Sequence, residues 1–203
     1  NRDFRPSERA KNSGQTHRHE FGIPDTLGAY ELLNRAHLPL DLVLDEHLEP
    51  EKLGQYSVLF LSNSACLSDA HCEAIRGFVE QGGILIATHQ TSLLDGWGQN
   101  RGQFALADVL GVEYAGAADE SDANGRILVT CDPELRGEFG ELIFFSGEES
   151  SVTVRPGTEV LCERSSPQKV GPLGLFDPSK DHRTGAAAVT RNAFGKGQAI
   201  YIG

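Results

Sequence analysis

The chain has 203 residues, 39% hydrophobic and 23% charged, with 18 Lys plus Arg set against 29 Asp plus Glu for a net charge of -11. That length suits one ordinary α/β domain, with or without a small appendage, and excludes two full ones; the composition excludes long disorder, collagen and coiled coil. The acidic balance repels phosphate backbones and anionic lipid, and no apolar run approaches the roughly 20 residues of a membrane-spanning helix, so neither nucleic acid nor a membrane is an expected partner.

The sequence contains no methionine and stops at Gly203 inside a strand-like run, so it is expected to be a piece of something longer. No charged-then-apolar signal opens it. Cys66, Cys72, Cys131 and Cys162 are scattered without a CxxC pair, which reads as reduced thiols in a cytoplasmic protein. The alternative, one or two disulfides in an exported protein, has three full connectivities open to it.

Residues 1–24 are expected to be a polar leader or loop. From Asp25 the apolar positions Leu27, Tyr30, Leu32, Leu33 and Ala36 fall at helical spacing, with Asp25 or Thr26 as cap and Pro39 as stop. Asp41–Asp45 and Tyr56–Ser62 are short apolar runs of the kind that form buried parallel strands, joined by a link with about one helical turn. Ser68 and Asp69 cap a second helix whose Ala70, Ala74, Ile75, Phe78 and Val79 share a face, closed by Gly82 and Gly83. Ile84–Thr88 follows as a strand, and the strand–helix–strand succession predicts a parallel, doubly wound sheet. Residues 104–110 add a helix stopped by Gly111. Beyond it, 126–130, 151–155, 159–163 and 186–191 are short strands, and 186–202 closes as a β-hairpin. A doubly wound sheet also wants a strand before the first helix, and residues 1–24 offer none: either it lies upstream, or the helix packs on a sheet begun by 41–45.

Several runs carry a resemblance. They are Gly28-Ala-Tyr-Glu-Leu-Leu-Asn-Arg-Ala-His-Leu-Pro-Leu-Asp41, Tyr56-Ser-Val-Leu-Phe-Leu-Ser-Asn-Ser-Ala-Cys-Leu-Ser-Asp69, Phe78-Val-Glu-Gln-Gly-Gly-Ile-Leu-Ile-Ala-Thr88, Thr91-Ser-Leu-Leu-Asp95 and Phe104-Ala-Leu-Ala-Asp-Val-Leu-Gly-Val112. In that order they resemble the trimerisation domain of β-galactosidases and related glycoside hydrolases. Arg191–Gly203 looks like the strand pair that closes the same domain, while residues 116–185 match nothing that can be named. The resemblance implies a flavodoxin-like fold of the class I glutamine amidotransferase type, behind a catalytic barrel in a larger polypeptide. It implies a single domain over 25–203, with a βα core at 25–115 and a mostly antiparallel, β-rich remainder at 116–203. It further implies a homo-oligomer, a trimer by the family name, and no catalysis or cofactor in the domain itself.

The residues are consistent with that absence of catalysis. Amidotransferase chemistry needs a cysteine on a sharp strand-to-helix elbow and a His with a carboxylate partner. Here the strand ends Ala87-Thr88-His89-Gln90-Thr91, and His182-Arg183-Thr184 stands where a His-x-Glu would serve. Cys66 is the remaining weak nucleophile candidate, near His89, against the plainer reading of a small residue packing a helix start. The loop edge formed by Asn63, His89, Thr91, Ser92 and Trp97 is the candidate ligand or interface edge. Trp97 is either a core residue or an exposed ring for stacking on a sugar or anchoring a subunit. His17 and His19 with Glu20, and the adjacent His71 and Cys72, do not make a metal site, so no metal is expected. The glycines 96, 98 and 102 imitate a dinucleotide loop with the wrong spacing. Asp119, Glu120, Asp122, Glu148 and Glu149 read as solvated turns.

Overall fold

The computed structural model describes residues 23–117, 126–145, 149–165, 169–170, 175–176 and 183–203. The fold is α/β, built on a seven-stranded mixed sheet in the order β1-β2-β11-β10-β7-β4-β5. These strands are β1 (Val58–Leu61), β2 (Ile84–Thr88), β4 (Arg126–Thr130), β5 (Leu142–Phe145), β7 (Glu159–Ser165), β10 (Arg183–Phe194) and β11 (Gly197–Ile202). A two-stranded sheet pairs β3 (Val112–Ala117) with β6 (Ser150–Val154), and another pairs β8 (Lys169–Val170) with β9 (Leu175–Phe176). The helices are α1 (Ile23–Arg35), α2 (Pro50–Leu53), α3 (Asp69–Glu80), α4 (Ala107–Leu110) and α5 (Pro133–Phe139).

The parallel wing follows from the sequence. Ser68 caps α3 by accepting the His71 N–H at 3.2 Å, and Cys72, Ala74, Ile75, Phe78 and Val79 face inward. Gly82, at φ 121°, ends the turn, and Gly83 leaves room for the Phe78 ring, which a Cβ there would strike. β1 and β2 pair in parallel across this helix, and β11 pairs in parallel on the other side of β2. Leu59, Leu61, Leu85, Leu106, Val109, Leu110 and Tyr201 join the α3 side chains in the main core. A smaller cluster of Leu128, Cys162 and Ala188 lies in the antiparallel wing. The closing hairpin is present, β10 running antiparallel to β11, and its turn is anchored by the Lys196 N–H donating to Glu80 O at 3.0 Å.

Parallel pairing joins β1 to β2 and β2 to β11, while β10, β7, β4 and β5, all in the remainder expected to be mostly antiparallel, join by antiparallel ladders. The structure corrects three expectations. The first helix begins at Ile23, so Asp25 and Thr26 lie inside it, and His37 at φ 56° turns the chain before Pro39 is reached. Residues 41–44 join no ladder among the described residues, and Asp45 already belongs to a 3-10 turn, Asp45–His47. The 104–110 helix shortens to α4, since Ser92 Oγ takes the Leu106 N–H at 3.2 Å. Strands β3 and β5 and helix α5 were not expected. The polar leader lies almost wholly outside the described residues, as do His17, His19, Glu20, Asp119, Glu120, Asp122, Glu148 and His182. No helix among the described residues is long and apolar enough to cross a membrane.

Candidate functional site

The carboxyl ends of parallel strands are where α/β sheets place their ligand loops, and here the exits of β1 and β2 are bound together. Asn63, just past β1, donates its N–H to Thr88 Oγ1 at 2.9 Å, and its side-chain oxygen accepts the Gln90 N–H at 3.2 Å. The Thr91 hydroxyl donates to Thr88 O at 2.7 Å, and the Ser92 N–H reaches back to Ser64 O at 3.0 Å. Asn63, His89 and Ser92 all have left-handed backbones, with φ of 49°, 49° and 66°. Such conformations cost on the order of 1–3 kcal/mol each, and persist where the surroundings over-determine them. Four of the five residues read as one edge, Asn63, His89, Thr91 and Ser92, are thus brought to one pair of strand exits. Thr91 and Ser92 are fully buried.

His89 joins this edge to a polar cluster. Its N–H donates to Ile202 O at 2.8 Å and its carbonyl accepts the Tyr201 hydroxyl at 2.7 Å. Its Nδ1 lies 2.9 Å from Ser150 Oγ on β6. Arg164 on β7 donates from Nη2 to Ser150 O at 2.6 Å, and its Nε stands 3.0 Å from Glu149 Oε2. Ser150, Glu149 and Tyr201 are buried, and burial pushes the Tyr201 phenol well above its ordinary range. Glu149 is therefore no solvated turn: its carboxylate is sealed against a guanidinium that is itself mostly buried.

Ser150 and His89 form a serine–histidine pair by residue type, but the hydroxyl has no exposed surface from which to attack a substrate. Nothing local in the sequence marks Ser150 or Arg164 as members of this cluster, and Tyr201 carries one signal, as the large inward residue of an alternating strand. Cys66 is exposed and bridges to Leu94. Burial, then the Asp45 and Asp95 carboxylates, push its thiol pKa up, opposite to what an activated nucleophile needs.

Trp97 is 76% exposed, on a turn in which Asp95 Oδ1 accepts the N–H groups of Trp97 and Gln99 at 2.8 and 2.9 Å. Those bonds, the Gln99 one first, hold the Asp95 carboxyl low. Beside the first turns of α3 a hollow of about 490 Å³ opens between Asp45, Glu46, Glu49, His71 and Glu73. Among the described residues no group of three or more His, Cys, Asp or Glu side chains is arranged to hold a metal ion.

The described fold is that of an α/β protein with a mixed sheet, and comparison with solved structures gives it relatives in shape. A β-galactosidase from Bacillus circulans sp. alkalophilus superposes with a TM-score of 0.71 at 19% identity, over 90% of this chain and 24% of that one. The cold-adapted β-galactosidase of Rahnella sp. R3 gives 0.65 at 20%, over 85% of this chain and 23% of that one. A cytoplasmic protein of Salmonella typhimurium LT2 gives 0.61 at 14%, over 90% of this chain and 76% of that one. The chain thus spans about a quarter of the two β-galactosidases. No protein-family model and no curated protein matches the chain.

Proposed function

We propose that the chain is a non-catalytic assembly domain of a larger carbohydrate-active enzyme of β-galactosidase type, with β1, β2 and β11 as the remnant of a flavodoxin-like, doubly wound core. The carrying observation is that the fold recurs as a quarter of longer β-galactosidase chains while covering nine-tenths of this one. The internal use of the strand-exit groups agrees with it. Thr91, Ser92 and Ser150 have no exposed surface, and their hydroxyls bind other parts of the same chain. Assembly would join copies of the chain, with a trimer as the family resemblance implies. The test pairs two measurements on the 203-residue chain: hydrolysis of nitrophenyl β-galactosides, expected to be nil, and mass in solution, expected to be that of an oligomer. Turnover abolished by His89→Ala would overturn the reading.

A second reading, a sugar-binding edge, is favoured by the exposed Trp97 on its pinned turn. Aromatic faces stack on the apolar faces of sugars. As the chain has a single tryptophan, its fluorescence reports directly. A saturable change with lactose or galactose, absent in Asp95→Ala where the turn loosens, is the expected signature, and no change up to millimolar sugar removes the reading.

A further inference from the structure

We draw no further inference here: the strongest candidate, the hollow beside the first turns of α3 rimmed by Asp45, Glu46, Glu49 and Glu73, carries nothing, because it rests on a cluster of acidic side chains and nothing in the structure shows what occupies it.

Discussion

Two residues show how closely the parallel wing is fitted. Tyr201 is fully buried, and its hydroxyl donates to the carbonyl of His89, a residue whose own backbone is left-handed. Tyr201→Phe keeps the ring and removes that donor, leaving a part-buried carbonyl one bond short. A loss of about 1–2 kcal/mol is expected, read as a lower urea midpoint at unchanged slope. Gly111 ends α4 at φ 69°, and a Cβ there would meet Thr158 Oγ1 and the Asn192 side chain. Asn192 also donates to the carbonyls of Asp108 and Val109 at 3.1 and 2.9 Å, so it cannot retreat without losing the α4 end. Gly111→Ala is expected to cost more than the ~1 kcal/mol of a left-handed alanine, and a matched Gly98→Ala on the open loop, at φ 80° with nothing within reach of a Cβ, isolates the steric part.

At the scale of elements, α3 and α4 are clamped by one ion pair. Arg76 donates to both carboxylate oxygens of Asp108, at 2.9 and 3.0 Å, and to Ala105 O at 3.1 Å. Burial raises the Asp108 pKa, but the Arg76 hydrogen bond and charge outweigh it, so the net shift is below the ordinary 3.8. A depressed folded-state pKa contributes stability that is complete above the unfolded value and lost as pH falls through the folded one. Stability should therefore fall as the solution is acidified below about pH 4, and Asp108→Asn should flatten that limb, as denaturant midpoints across an acid series would show. The elements themselves were legible to different degrees. α3 carried every local signal, an N-cap serine, an apolar face and a Gly-Gly stop. Helix α5 carries two short ones, since Asp132 caps it by accepting the Glu134 and Leu135 N–H groups and Pro133 opens the first turn. The 41–45 run was legible as strand-like, but not that it joins no ladder among the described residues, because whether a strand finds a ladder is settled by distant chain. Glu149 was misread for the same reason: its partner Arg164 is 15 positions away on another strand, and nothing local marks it as buried.

Across the whole molecule, Arg164 joins the mixed sheet to the small β3–β6 sheet. It leaves β7 of the large sheet, faces Glu149, and binds the carbonyl of Ser150 and, at 3.4 Å, the hydroxyl of Ser151 on β6. Ser150 in turn meets His89 at the exit of β2, so one guanidinium links the antiparallel wing, the small sheet and the parallel edge. Removing one partner of a buried ion pair leaves the other charge uncompensated, which typically costs about 3–5 kcal/mol, whereas losing an exposed pair costs little. Arg164→Ala is accordingly expected to be far more damaging than Arg35→Ala, whose partner Glu31 shares the surface of α1 at 3.3 Å. The way it fails is as informative as the amount. Trp97 reports from the parallel edge and far-ultraviolet dichroism from both wings, so if Arg164 couples them the two urea transitions coincide in the wild type and separate in the variant. Coincident transitions in Arg164→Ala, at a midpoint near the wild type's, would show that apolar packing joins the wings and that the buried charge network does not.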